Sequence, residues 1–560
     1  MAEKKQAAAR AALAAIALFT LPWTAAAAPL EVMENTTTPG GVKEHTLPPQ
    51  ETPKPTIKVE QAVVKPDSTD ATKIHVAQIR VTGQDLYKDE ALQPLLQEAY
   101  GKDLTLAELE HYARKVSQYF HRQGYLVART ILPPQSIENG VVEMQVLVGR
   151  YGNVRIDNHS RFKETHAAAV LHELRPGDYI HEKELERALL LLNDTAGVQS
   201  AAMLTAGKET GTADLIVRLT DGPRSNGQLY TDNHGSRYTG KNRLGLNWNF
   251  LNVSGQGDSA ALGTILGEDR TDYNVSYQTP MGNSGAKWGV SYARQTYSLG
   301  DAFASLNADG VSDTWSLFAA YPLARSRDYN LNGRIGYDHK ELEDRIGYVN
   351  TNNRKKADVW NVGLSGDNRD RLGGGGYNSF SLNFDFGHLQ LNSEDAVTND
   401  TDAHTAGSYA KGNLGLYRVQ NIDPRLALHV SFSGQLASKN LDSSEKMSLG
   451  GPGGVRAYPV NEACGDSGYV ATGELRWNLP RPTLQLAAYV DQGHVNTNKN
   501  PWVGAGANGR TLSGAGLGLI FSRPGDYALR LDYAWKLGSE EAVAAPDSKE
   551  RIWVQAVKYF

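Results

Sequence analysis

Two kinds of hydrophobic patterning divide this chain of 560 residues. From about Ile74 to Asp221 the pattern is mixed α/β. Ile74–Val81 alternates with period two and predicts a strand. Leu104–Arg122 follows a helical period that puts Leu109, Ala113, Val116 and Phe120 on one face. Gly124–Arg129 and Val141–Val148 predict two more strands. The order then repeats: a strand at Val154–Ile156, a helix at Glu182–Asn193 with its Leu189–Leu192 run, and strands at Ala201–Leu204 and Ala213–Leu219. Two units of about 75 residues are expected, over 74–150 and 151–222. Each is too small to bury the core of a large enzyme domain.

From about Arg224 onward the texture changes. Short segments alternate strictly, with Phe380, Leu382, Phe384 and Phe386 on one face against Ser379, Ser381, Asn383 and Asp385. Leu426, Leu428, Val430 and Phe432 repeat the pattern, as do Leu529, Leu531, Tyr533 and Trp535 against Arg530, Asp532 and Lys536. This region also holds 43 of the 56 glycines and eight of the nine tryptophans. Aromatic stripes opposite charges are what lipid-out, water-in strands need. The fold class expected is mainly β: a transmembrane antiparallel β-barrel over 223–560, preceded by two α/β domains. Sixteen strands would leave about 21 residues for each strand and its connection, enough for tilted strands of about 10 residues. Phe560 ends an alternating segment, Ile552, Val554, Ala556, and is the expected insertion signal; Lys558 breaks that register.

The N-terminus fits export. Lys4, Lys5 and Arg10 precede an apolar stretch from Ala11 to Leu21, and Ala25–Ala28 offer a small-residue cleavage site, so 1–28 is expected to be a signal peptide. Seven of the 23 prolines fall between Pro29 and Pro66, and 29–73 is expected to be an extended linker. A plug helix is not expected there, since proline breaks the helical ladder; only a short helix near Leu30–Asn35 fits.

Composition removes several function classes. A net charge of -5 argues against nucleic acid as a partner. One cysteine, Cys464, gives no disulfide framework and no thiolate cluster. The 14 histidines show no ligand spacing, so no metal and no cofactor are expected. Gly373–Gly376 has no following lysine or helix and reads as a turn, not a phosphate cradle. No nucleophile–base constellation stands out, and no enzyme activity is expected.

Several stretches together resemble the outer-membrane transporters of two-partner secretion, in the Omp85 superfamily. Gly124-Tyr125-Leu126-Val127-Ala128-Arg129 with Leu132-Pro133-Pro134-Gln135 and Gly140 resembles that family's first polypeptide-transport-associated (POTRA) domain. The segment Leu185 to Asp194, with Leu191-Leu192-Asn193-Asp194 followed by Gly197-Val198, resembles its second. Asp232-Asn233, Gly235, Thr239-Gly240 and Gly255-Gln256-Gly257-Asp258 resemble the entry to its barrel. Gly451 to Pro459 carries Val455-Arg456-Ala457-Tyr458, similar to the family's Val-Arg-Gly-Tyr loop motif. Tyr489-Val490-Asp491-Gln492-Gly493 matches its aromatic-x-Asp-x-Gly strand motif.

The resemblance implies a loop folded back into the barrel lumen, with Arg456 meeting Asp491 on the inner wall and Gly493 beside it. Ala457 stands where glycine is usual. Since alanine avoids positive φ, an altered tip geometry is expected. The resemblance also implies that the POTRA domains capture an unfolded partner exoprotein of haemolysin, adhesin or toxin type around Gly124, Tyr125, Pro133, Pro134, Gln135, Leu191, Asn193 and Asp194. The expected location is the bacterial outer membrane, in contact with its lipid, with the POTRA domains in the periplasm and insertion by the barrel assembly machinery. The rival readings are an insertase of other barrels, which usually carries more POTRA domains, and a passive porin or adhesin.

Overall fold

The computed structural model describes residues 55–60, 72–480, 483–543 and 547–560. The expected signal peptide and short N-terminal helix lie outside these residues, as does most of the linker. The described chain forms two compact units, one of residues 53–222 with 255–257 and the other of 223–254 with 258–560.

The first unit holds two α/β modules with separate cores. In the first, the expected strand at Ile74–Val81 is two: β2 (Lys73–Val76) and β3 (Gln78–Thr82). The break is at Ala77, whose N–H goes to Gly140 O at 2.8 Å instead of to a strand. β2 pairs with β4 (Lys102–Thr105), so the helix expected from Leu104 starts later, as α2 (Leu106–Arg122) after α1 (Asp89–Leu96). Thr105 explains the start. Its hydroxyl accepts from Glu108 N while Glu108 returns to Thr105 N, a reciprocal capping box. Leu109, Ala113, Val116 and Phe120 are buried against Val142, Met144 and Val146.

Gly124–Arg129 is not the strand expected. Gly124 has φ of 95° and the chain turns through Ala128, so only β5 (Arg129–Ile131) pairs, with β6 (Val141–Leu147). Period-two alternation was too short here to outweigh the turn that the glycine sets.

The second module packs α3 (Glu164–Val170) and α4 (Glu182–Asn193) against a four-stranded sheet ordered β1-β8-β9-β7. Here β7 is Arg150–His159, β8 is Val198–Ala206 and β9 is Thr212–Asp221. The outer strand comes from the stretch expected to be linker: β1 (Thr56–Val59) runs parallel to β8 in the register Thr56↔Ala201 to Val59↔Leu204. Ile57 and Val59 pack on the module's core, which explains why this short apolar pair is ordered among prolines.

In the other unit, sixteen antiparallel strands close into a barrel, from β10 (Ser225–Asp232) to β20 (Leu426–Ala437) and from β23 (Ser467–Asn478) to β27 (Glu550–Tyr559). A band of outward side chains is apolar. Trp315, Trp360 and Phe386 are more than half exposed, and Ile335, Val490 and Ile552 lie on the same outer surface. In water such a belt would be an aggregation surface; a bilayer is the solvent that accepts it. None of the described helices is long and apolar enough to cross a membrane.

Closure is made by β27 on β10, from Gln228↔Tyr559 to Asp232↔Gln555, and Phe560 N donates to Gly227 O at 3.0 Å. Lys558 shares the outer face with Phe560 but sits at the strand end. Its ammonium reaches Asp526 in the adjoining turn, so the charge snorkels out of the apolar band.

Leu189 is fully buried in the second module's core. Leu189→Ala should cost that module about 2–5 kcal/mol. Limited proteolysis in detergent should then cut 151–222 while the barrel keeps its heat-dependent gel mobility.

Candidate functional site

The long connection between β20 and β23, residues 438–466, turns into the barrel. Its limbs pair briefly as β21 (Met447–Ser448) with β22 (Cys464–Gly465). Its tip, Gly451–Pro459, lies against the inner faces of β23, β24 (Leu484–Asn496), β25 (Gly509–Arg523), β26 (Tyr527–Lys536) and β27. Alternation proves which face. Val490 is 54 % exposed to the outside whereas its neighbour Asp491 is fully buried, so Asp491 points inward.

Arg456 is the contact on which the tip hangs. Its Nε and Nη2 donate to the two oxygens of Asp491 at 2.8 and 2.7 Å, a bidentate pair, and its backbone N–H donates to the same carboxylate at 3.1 Å. Nη1 donates to Glu474 Oε2 at 2.8 Å. The guanidinium plane lies over the Tyr489 ring, 3.2 Å from its centroid. Trp553 on β27 donates its indole N–H to Arg456 O at 2.7 Å.

The wall extends this into a network. Glu474 also accepts from Arg476 at 2.6 Å and Arg530 at 2.9 Å, and Arg530 pairs with Asp532 at 2.6 Å. Three arginines therefore face three carboxylates, and the buried cluster is charge-balanced.

The strand motif now has a steric meaning. Tyr489, Asp491 and Gly493 share the inner face of β24: the ring carries the guanidinium, the carboxylate holds it, and the glycine leaves room. A Cβ on Gly493 would come within 2.9 Å of Leu449 Cδ2 and 3.3 Å of Val455 Cγ2. A Cβ on Gly514 of β25 would lie 2.6 Å from that of Ala457. Ala457 is fully buried and is not among the residues with positive φ. The altered tip expected from alanine at this place therefore does not follow, because the backbone here needs no left-handed conformation. Val455, Ala457 and Tyr458 pack with Leu449, Val470, Val495 and Leu512 in one apolar cluster, and the Tyr458 hydroxyl donates to Glu540 O at 3.1 Å.

Sequence reasoning took Glu474-Leu475-Arg476 as support for the Arg456 loop but did not find Trp553, or Arg530 and Asp532 of β26, as members of this site. The signal that could have found them is their inward register next to charge of opposite sign.

The POTRA residues singled out make internal contacts. Gly124 O accepts from Glu182 N at 2.8 Å, and Tyr125 stacks edge-on to His181 and Tyr179. Gln135, after Pro133 and Pro134, donates to Glu143 O at 2.8 Å and accepts from Glu143 N at 2.7 Å, imitating a strand partner for β6. Leu191 is buried, Asn193 Oδ1 accepts from Ser200 N at 2.6 Å, and Asp194 caps α4. Among the described residues no group of side chains is arranged to hold a metal ion.

A family model for the haemolysin secretion/activation proteins ShlB/FhaC/HecB matches residues 211–521, and one for the ShlB-type POTRA domain matches 74–149. The chain belongs to the ShlB/FhaC/HecB family. Members are outer-membrane transporters of two-partner secretion, and this chain is one of them, with a barrel in the outer membrane and POTRA domains in the periplasm.

The heme/hemopexin transporter protein HuxB of Haemophilus influenzae (strain 86-028NP) is 29% identical over 500 residues, covering 87% of each chain. The outer membrane transporter CdiB of Dickeya dadantii is 24% identical over 420 residues, covering 70% of this chain and 71% of CdiB. The structure of CdiB from Escherichia coli superposes with a TM-score of 0.66 at 18% identity, covering 89% of this chain and 93% of that one, which shows a shared fold.

For this transporter the loop tip should be sensitive to space as well as charge. Gly514→Ala should displace Ala457 and raise single-channel conductance in planar bilayers. Asp491→Asn, which removes one charge of a buried pair, should raise it further.

Proposed function

We propose that the chain exports a partner exoprotein of haemolysin, adhesin or toxin type by capture in the periplasm and release of an internal gate. In this reading two domains, 74–150 and 151–222, bind the unfolded partner, and the barrel of 223–560 conducts it. Capture is by β-augmentation, in which main-chain pairing supplies affinity with little demand on sequence. The second module supports this, because its sheet already takes an extended segment, Thr56–Val59, in register on β8.

The observation that carries the gate is Arg456. A bidentate, aromatic-backed guanidinium inside a lumen fixes the loop in one place. Breaking one partner of such a buried pair costs about 3–5 kcal/mol. That is enough to keep the resting passage closed and small enough for an entering chain to offset. No nucleotide-binding motif is present in the sequence, so in this reading net movement comes from folding of the partner outside. Catalysis has no part in the proposal. The barrel itself is inserted by the barrel assembly machinery, with Phe560 as its address.

The insertase reading is disfavoured by the family match, which is to secretion proteins over 211–521. Heme or hemopexin is named only for HuxB.

Arg456→Ala should abolish appearance of the co-expressed partner in the medium while the barrel still inserts; normal secretion would remove the arginine from the gate. Deleting 74–221 should abolish binding of the partner's N-terminal secretion domain, measured by pull-down with purified protein. Unchanged binding would remove these domains from recognition.

A further inference from the structure

The loop is held at a second place, where the charges are arranged the other way round. At the tip a loop cation meets wall carboxylates. At the base, loop carboxylates meet wall cations. Glu445 accepts from Lys340 of β16 (Tyr329–Ile346) at 2.6 Å and forms an ion pair with Lys411 of β19 (Gly407–Asn421) at 2.7 Å. Asp442 pairs with Lys355 of β17 (Thr351–Asp370) at 2.7 Å. The side chains of Lys340, Lys411 and Glu445 are 5, 1 and 2 % exposed. Gln435 of β20 donates to Glu445 O at 3.0 Å.

The two limbs are also tied to each other. Lys446 meets Asp466 at 3.0 Å, Leu441 N donates to Asp466 at 3.1 Å, and Ser448 stands opposite Cys464 in the short ladder.

We propose that this cluster makes the base of the loop a fixed pivot, with Glu445 as its positioning residue, so that release during transport moves the tip alone. The proposal rests on the reading of Arg456 as the releasable anchor. What each release would leave behind decides the order. If Arg456 leaves, Glu474 keeps Arg476 and Arg530, Asp532 keeps Arg530, and Asp491 keeps the Thr472 hydroxyl at 2.9 Å. One wall carboxylate, Asp491, is then left without a cation, a single unmet charge. If Glu445 and Asp442 leave, Lys411 and Lys355 fall back on Asp385 and Asp344, each at 3.7 Å, and Lys340 loses its 2.6 Å partner. Buried charges left poorly paired are costly. The tip is therefore the end that gives, and the base is the end that holds.

The test is single-channel recording of the full chain in planar lipid bilayers, without cargo. Arg456→Ala should show openings of the released tip. Glu445→Gln should add a larger conductance state, occupied at least about tenfold more than in the wild type because a buried counter-charge is lost. The fourfold variant Lys340→Met, Lys411→Met, Asp385→Asn, Glu445→Met removes two cations and two carboxylates together, so the contact is lost without stranding Lys411 or Asp385; it should show the same larger state. Traces like the wild type from the fourfold variant, and from Glu445→Gln where that folds, would overturn the pivot.

Ser448→Cys places a second thiol across the ladder from Cys464. Leu449 N bonds to Ala463 O in the next pair, so 448 and 464 form a non-hydrogen-bonded pair with close side chains. Oxidation of Ser448→Cys in the Arg456→Ala background should leave the tip openings unchanged. Their loss on oxidation and return with reductant would mean that the limbs separate, which also overturns the pivot. Because no cargo enters this assay, normal secretion by Arg456→Ala would sink the transport reading without altering the conductance result.

Discussion

A guanidinium taken out of water inside a membrane barrel is the constraint on which the site depends. Burying such a charge is unfavourable unless every donor is answered. Arg456 is answered by Asp491, Glu474 and the face of Tyr489, and its own carbonyl by Trp553. Those partners come from β23, β24 and β27. Their mutual register must therefore be correct before the arginine can be satisfied. The loop in turn covers the carboxylates, which would otherwise face the lumen as uncompensated charge. Loop and wall each supply what the other needs, and the pair has one geometry.

The same contact explains a departure from the usual face logic of a barrel. Inner walls are normally polar because the lumen is wet. Beneath the loop, Val470, Val495 and Leu512 point inward and are fully buried, against Leu449, Val455, Ala457 and Tyr458. This local core exists only because the loop is present. The close glycines belong to it: Gly493 and Gly514 are positions where a methyl group would push the loop off the wall. Charge fixes where the tip sits, and apolar packing removes the water that would weaken the charge.

How much of this could be read in the chain follows from range. Long period-two segments such as Phe380–Phe386 and Leu529–Trp535 reported strands directly, because alternation over a half-buried surface is a local property. The loop motif and its strand partner were legible as a pair of residue patterns, Arg456 with Asp491. The wider network of Arg530, Asp532 and Trp553 was not. Its members lie on strands whose adjacency is a matter of closure and register, which alternation does not encode.

In the periplasmic unit the failures were local competitions. Gly124 turned a short alternating run into a loop, and Thr105 moved a helix start through its cap. Ile57 and Val59 drew a proline-rich stretch onto a sheet edge. Each was decided by a contact made elsewhere in the fold.

In the proposed gate the two anchors differ in what their release would do to the passage. With the loop in place, the cluster on β23–β26 balances three arginines against three carboxylates. Once Arg456 withdraws, Arg476 and Arg530 face Asp491, Glu474 and Asp532, so two positive charges face three negative ones. The wall vacated by the tip thus carries a net charge of one unit and an exposed apolar floor of Val470, Val495 and Leu512. Both favour the tip's return once the passage empties. In the proposed cycle an unfolded chain moving past would present backbone and mixed side chains that satisfy this surface only transiently. The lock therefore needs no separate spring: the unmet charge on the wall is the restoring force, provided the base keeps the arginine within reach.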